Sequence, residues 1–286
     1  MVLTSSSACA KGVITRSDAL NICYCHTPIR YAWEFYYEYI HNFGKLKKFL
    51  IGWFMHHIRM WDRLAADRVD YFIANSGYIQ QRINKYYRRS SEVIFPPVNT
   101  HLYQLKPKED FYLIVSRLVT YKRVNLAVEA FNRLGLPLVI IGDGGEAEAL
   151  RKQAKGNVRF LGRLSDEEIA DWYSRAKAFV FCGEEDFGIT PVEAQAAGTP
   201  VIAYGRGGVL DTVVDGKTGI YFIESTADSL CAAIQKFEQD GVACSAEQIK
   251  EHAEQFSLKR FQQQIDSYIK QCAAEHGIKL GEGDKQ

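Results

Sequence analysis

The chain has 286 residues, 47% of them hydrophobic and 24% charged, and its 35 Lys+Arg against 34 Asp+Glu leave a formal charge of +1. That is the composition of an ordinary globular protein of one large or two typical domains, and the even balance argues against a polyanion such as nucleic acid as a partner. Seven scattered cysteines, with no histidine run or second close pair at zinc spacing beside Cys23 and Cys25, read as reduced thiols and imply no metal site. No basic, apolar and small-residue leader pattern is present, nor an apolar run near the ~18 residues of a membrane span, so the chain is expected to stay in the compartment where it is made.

In chain order, "VLTSSSACAKGV" allows at most one short strand ahead of a helix-like part, and "NICYCHTPIRYAWEFYYEYI" is crowded with aromatics. In "FGKLKKFLIGWFMHHIRMWDRLAADR", Leu46, Leu50, Trp53, His57, Trp61 and Leu64 recur at helical spacing, flanked by Lys45, Lys47, Lys48, Arg59 and Arg63. This is either a core helix or an interfacial helix held against an anionic leaflet. His56 and His57 have no motif of their own. "RVDYFIANS" and "SEVIFPPVN" are strand candidates, and Pro96-Pro97 with Asn99 and Thr100 makes a plausible linker.

From about residue 111 the pattern alternates. "FYLIVS", "LPLVIIG", "NVRFLG", "KAFVFCG" and "TPVIAYG" are each followed by a segment of helical period, the signature of βαβ units on a buried parallel sheet. The expected fold class is α/β, with a Rossmann-like parallel-sheet domain over 101–255. A partial first domain spans 1–100, and a helix over 256–275 packs back on it. The tail after Gly277 is polar and expected to fray.

Ligands of parallel sheets bind beyond the carboxyl ends of the strands. After "FYLIV", Arg117 and Lys122 can place a guanidinium and an ammonium on one phosphate pair; as single residues they are as well read as solvated first-turn charges. After "LPLVII", Gly142-Asp143-Gly144 satisfies a loose glycine fingerprint for a dinucleotide, or simply makes a tight turn. The next strand ends in Gly162-Arg163-Leu164, with no acid for a ribose, so NAD fits poorly. In "EEDFGITPVEAQAAGTPVIAY", Thr190, Pro191 and Glu193 read as N-cap, N1 and N3 of a capping box. Glu184, Glu185 and Asp186 are left without a structural purpose, and acids beside a phosphate site suit sugar hydroxyls.

Glu185 and Glu193 with seven residues between them, together with "SRLVTYKR", resemble the donor-binding half of family 4 retaining glycosyltransferases of the GT-B fold, over roughly residues 76–222. The resemblance implies that Arg117 and Lys122 hold a nucleotide diphosphate, Glu185 the transferred sugar and Glu193 the ribose. Backbone amides around Phe187, Gly188, Ile189 and Thr190 would assist the phosphates, and Gly142, Asp143, Gly144, Gly162, Arg163 and Leu164 would border base and ribose. "YCHTPIRYAWEFYYEY" looks like the corresponding segment of bacterial polysaccharide and O-antigen mannosyltransferases. It puts His26 across the cleft, touching donor sugar and acceptor, with Arg30 and Tyr31 on the acceptor side. Without that motif, His26 reads as a satisfied core histidine.

The implied function is transfer of a hexose, most plausibly mannose from GDP-mannose, with retention, to a glycan or lipid-linked acceptor. UDP-sugar is the nearest alternative donor. No cofactor is expected and no metal is implied, since the chain has no Asp-x-Asp pair. The expected location is the cytoplasm, with peripheral contact at an anionic inner membrane face. The family's first strand and glycine-rich turn have no counterpart before Ala19, so the first domain is expected to lack its early strands. A catalytically silent nucleotide-sugar-binding remnant is therefore the second reading. An NADP-dependent oxidoreductase is third, and a glycosidase using Glu185 and Glu193 ranks low.

Overall fold

The computed structural model describes residues 1–34, 36, 40 and 43–278. Phe35, Tyr37, Glu38 and Tyr39 of the aromatic segment, and the tail from 279 onward, lie outside the described residues. The chain divides into two compact units, Met1–Phe95 joined by the segment from Gln262 onward, and Pro96–Phe261.

The first unit holds a parallel sheet of β1 (Val2–Ser6), β2 (Asn21–Cys25), β3 (Tyr71–Ala74) and β4 (Ser91–Val93), hydrogen-bonded in that order. The opening "VLTSSSACAKGV" supplies one short strand, β1, as expected, and "NICYC" supplies β2. Every residue of β2 is buried because it lies between β1 and β3, which is why its run is apolar without alternation. Among the described residues of the segment before Phe95, the helices beside the sheet include α1 (Arg30–Trp33), α2 (Lys45–Ala66) and α3 (Gly77–Tyr87). The Ser76 side chain caps α3 by accepting the Ile79 amide. Ile79, Ile83 and Tyr87 then fall on one face and pack with Phe72, Cys23 and Cys25.

A buried polar cluster ties α2 into this unit. Asp62, fully buried, pairs with the buried Lys11 ammonium and accepts from Trp33 Nε1 at 2.7 Å and Tyr87 Oη at 2.8 Å. Each charge is matched, so burial is tolerated; removing one partner would leave the other stranded.

The second unit holds a parallel sheet ordered β10-β9-β8-β5-β6-β7. In chain order its elements are β5 (Tyr112–Val115), α4 (Val124–Leu134), β6 (Leu138–Ile141), α5 (Ala147–Gln153), β7 (Val158–Gly162) and α6 (Asp166–Arg175). They continue as β8 (Ala178–Phe181), α7 (Ile189–Ala196), β9 (Val201–Tyr204), α8 (Val209–Thr212) and β10 (Gly219–Phe222). α9 (Ala227–Asp240) and α10 (Ala246–Ala253) follow, and α11 (Leu258–Glu275) runs across the division between the units at Gln262. β10, a four-residue run, is a strand the apolar pattern did not announce. α4 buries Val124, Ala127, Val128 and Phe131, a 3.6-period stripe, against the sheet core that includes Tyr112, Ile140 and Val180.

The strand order is the feature that matters for a ligand. The chain leaves β5 toward β6 and β7, then returns to place β8 on the other side of β5. The loops after β5 and β8 therefore diverge from adjacent strands, opening a crevice at the topological switch point.

Candidate functional site

Lys122 follows β5 in a short 3-10 turn, Thr120–Lys122, and α4 starts only at Val124, after Arg123 in the left-handed region (φ +52°). Lys122 is thus not in the first turn of the helix, as the sequence suggested, but on the loop lip. Glu185 follows β8 on the opposite lip. The two side chains form a direct ion pair between Lys122 Nζ and Glu185 Oε1, each about one-fifth exposed. Glu185, expected to lack a structural purpose, has one here: its carboxylate neutralises the ammonium, while its carbonyl accepts the Gly208 amide at 2.8 Å. Gly208 and the loop after β9 were missed by sequence reasoning; the "GRGG" run directly after the β9 apolar stretch was the available signal.

Glu193 departs from the capping-box reading. α7 begins at Ile189 with Gly188 as N-cap (φ +85°), and no side chain caps it. The helix starts two residues earlier than Pro191 as N1 would require, which puts Glu193 beyond the first turn. Its carboxylate turns instead to Tyr173, whose Oη donates to Oε2 at 3.1 Å, and to the Tyr103 hydroxyl. Burial raises the Glu193 carboxyl above the usual range, and the two tyrosine hydrogen bonds pull it partly back by favouring the charged form. Burial likewise pushes the Tyr103 and Tyr173 hydroxyls well up, so both remain proton donors. Neither tyrosine was singled out from sequence: Tyr103 precedes β5 and Tyr173 sits in α6, so only the fold brings them to Glu193.

The glycine turn after β6 has a packing reason. Gly142 lies at φ +128°, and a Cβ there would come 1.9 Å from the Ser116 carbonyl oxygen. The Gly142 amide donates to the Gly162 carbonyl at 2.7 Å, and the Leu118 amide to the Asp143 carbonyl at 3.0 Å. Backbone bonds thus stitch the loops after β5, β6 and β7 into one rim. Asp143 is exposed and accepts the Gly144 amide at 2.8 Å. Arg117 and Arg163 are exposed and Leu164 half-buried. On α7's approach, Phe187 is buried against Phe256, while Ile189 is exposed and Thr190 half-buried.

The remaining sequence-derived candidates belong to the first unit. His26 directly follows β2 and is half-buried, sharing a 2.8 Å hydrogen bond between Nε2 and Ser5 Oγ, with its ring edge-on to Tyr24. Arg30 and Tyr31 open α1, Arg30 half-buried and Tyr31 exposed. Among the described residues no group of three or more His, Cys, Asp or Glu is placed to hold a metal ion.

A parallel sheet that gathers a lysine, two acids and a helix start at its switch point has the layout in which α/β folds place their ligand sites. The family model of Glycosyl transferases group 1 matches residues 102–256. The chain belongs to that family. Its fold is that of the GT-B glycosyltransferases: it superposes on sucrose-phosphate synthase from Thermosynechococcus elongatus with a TM-score of 0.73 at 20% identity, covering 89% of this chain and 68% of that one. HepE of Anabaena, solved with UDP and glucose, gives 0.66 at 20% identity, covering 87% and 85%. In sequence the chain is 27% identical over 268 residues to an alpha-1,3/1,6-mannosyltransferase of Dictyostelium discoideum, covering 74% of this chain and 64% of that relative. The chain spans 48% and 34% of the length of other curated relatives that it matches.

Proposed function

We propose that the second unit binds a nucleotide sugar and that the protein is a retaining hexosyltransferase of family 4, using GDP-mannose as donor and a glycan or lipid-linked acceptor. The observation that carries this reading is the Lys122–Glu185 pair at the switch point between β5 and β8. A diphosphate arriving there takes the Lys122 ammonium, with Arg117 and the α7 start adding positive potential. Glu185 is released to accept from the hydroxyls of the transferred sugar. Glu193, presented by two tyrosines, accepts from ribose hydroxyls, and the stitched rim of Gly142, Asp143, Gly144, Gly162, Arg163 and Leu164 borders the base. His26, with Arg30 and Tyr31, serves the acceptor.

In the transfer, the bond from the sugar's anomeric carbon to the diphosphate oxygen breaks as the acceptor oxygen bonds on the same face. The departing diphosphate takes the acceptor's proton, so no strong protein base is required. The protein's contribution is to stabilise the charge building on the diphosphate. Mannose as the sugar is supported by the similarity to the Dictyostelium mannosyltransferase. The UDP and glucose in HepE favour a UDP-sugar as the second reading of the donor.

Saturation-transfer NMR of the full chain with GDP-mannose, UDP-glucose and NADPH separates the readings. A signal from GDP-mannose that is lost in Lys122→Ala supports the proposal. A signal from NADPH alone, or an unchanged signal in Lys122→Ala, rejects it.

A further inference from the structure

Helix α2 is inside out. Leu46, Phe49, Leu50, Trp53, Phe54 and Leu64 each expose more than half of their surface, Leu46 as much as 73%. The residues it buries are Asp62, Ala65 and Ala66. Rotation about the helix axis is set by Asp62, whose carboxylate is held by Lys11, Trp33 and Tyr87. Turning the leucines inward would carry that carboxylate out of its three partners and strand the Lys11 ammonium. At 100° per residue the exposed apolar side chains occupy one continuous stripe. They present on the order of 700 Å² of side chain, above the roughly 300–600 Å² of the largest apolar patch on a typical monomer.

The charge around the stripe selects the occupant. Between Lys45 and Ala66 the only acid is the buried Asp62, while Lys45 and Lys47 are exposed at the helix start, His56 is exposed at the edge of the stripe and His57 is exposed within it. Arg63 borders the other end and pairs with Asp67. Two copies packed through this face would set cations against cations with no exposed acid of the helix to answer them. No helix among the described residues is long and apolar enough to cross a membrane. A 22-residue helix, about 33 Å long, with an apolar face and a cationic border instead lies in the interface plane.

We infer that α2 is a membrane-docking helix that seats its Leu/Phe/Trp stripe in the headgroup boundary of an anionic bilayer, with Lys45 and Lys47, one on each side of the stripe, against the lipid phosphates. Docking by this face does not depend on the donor chemistry proposed above.

The test is co-sedimentation of the full chain with phosphatidylcholine vesicles, alone or containing a third of phosphatidylglycerol. The chain binds the anionic vesicles, releases them in high salt, and binds the neutral ones at least tenfold more weakly. Replacing Lys45 and Lys47 together by Gln lowers partitioning about 25-fold, roughly fivefold per charge. Leu50→Ser with Trp53→Ser lowers it at least tenfold. All of these side chains are at the surface, and unchanged thermal melting of both variants shows the fold is kept. Binding indifferent to lipid charge, or unaltered in either variant, overturns the inference. So does a dimer in light scattering that the Leu50→Ser, Trp53→Ser variant dissolves, which would make the face a contact between copies.

Discussion

Replacing Glu185 by Gln tests whether Lys122 waits for a phosphate. In the free protein the carboxylate and the ammonium neutralise each other on the two lips of the switch point. A diphosphate that takes Lys122 also meets Glu185 as a like charge. Two unit charges about 5 Å apart at an effective dielectric of about 20 repel by roughly 3 kcal/mol. Both side chains are partly open to solvent, 18% and 22% exposed, and water and salt reduce that to about 1–2 kcal/mol. Glu185→Gln is therefore expected to bind GDP or UDP about 5- to 30-fold more tightly than the native chain. The intact donor gains less, because a charged acceptor for its hydroxyls is replaced by a neutral one, at a cost of about 1–2 kcal/mol. Lys122→Ala loses a charge-assisted bond and weakens both ligands tenfold or more. It also leaves the carboxylate without its cation, so melting falls and is partly restored in the double variant. Isothermal titration calorimetry with the diphosphate and then the sugar nucleotide measures all of this. A Glu185→Gln variant that binds the diphosphate tenfold more weakly, or a Lys122→Ala variant that binds it normally, refutes the reasoning.

Glu193 is held above the usual carboxylate range chiefly by burial, so the folded chain keeps its proton to higher pH than the unfolded chain does. Its contribution to stability is complete below the unfolded value of about 4.3 and is lost as pH rises through the folded value. Binding of a ribose by the carboxylate needs the ionised form, so donor affinity should decline on acidification earlier than for an ordinary glutamate. Tyr103→Phe with Tyr173→Phe should move that limb to still higher pH, because both hydroxyls favour the charge; calorimetry across pH would show a limb that stays or moves down if this is wrong. Gly142→Ala should lose about 2–4 kcal/mol of stability, since its Cβ would meet the Ser116 carbonyl at 1.9 Å and its φ is +128°. Gly145, with nothing within 4 Å of a Cβ, should accept Ala within about 1 kcal/mol, and equal melting of the two variants would contradict the packing role of the turn. Asp62→Ala should cost about 3–5 kcal/mol in urea unfolding by stranding the Lys11 ammonium, and a loss under 1 kcal/mol would show the cluster is not holding α2.

The strand runs after residue 111 were legible because a parallel sheet buries both faces of its inner strands, so β5, β6, β8 and β9 each read as an uninterrupted apolar segment. β10 was not, because Gly219–Phe222 is an edge strand that follows a polar turn, with Tyr221 only half-buried. The helix start at 189 was misread for a local reason. Thr-Pro-x-Glu is a capping pattern, but Gly188 in the left-handed region opened the helix earlier and freed Glu193 for Tyr173 and Tyr103.

What the order of residues determined by itself was periodicity and chemistry. It placed apolar runs as strands, put charged and glycine residues at their ends, and gave α2 a stripe at helical spacing. Pairing was left to the tertiary structure: that Lys122 meets Glu185 across 63 positions, that two distant tyrosines hold Glu193, and that α2 faces its stripe outward. Spacing along a chain fixes only which face a side chain shares with its neighbours. Which face meets the core is decided by partners far away in sequence, and for α2 the decision lay with one buried carboxylate and the lysine that neutralises it.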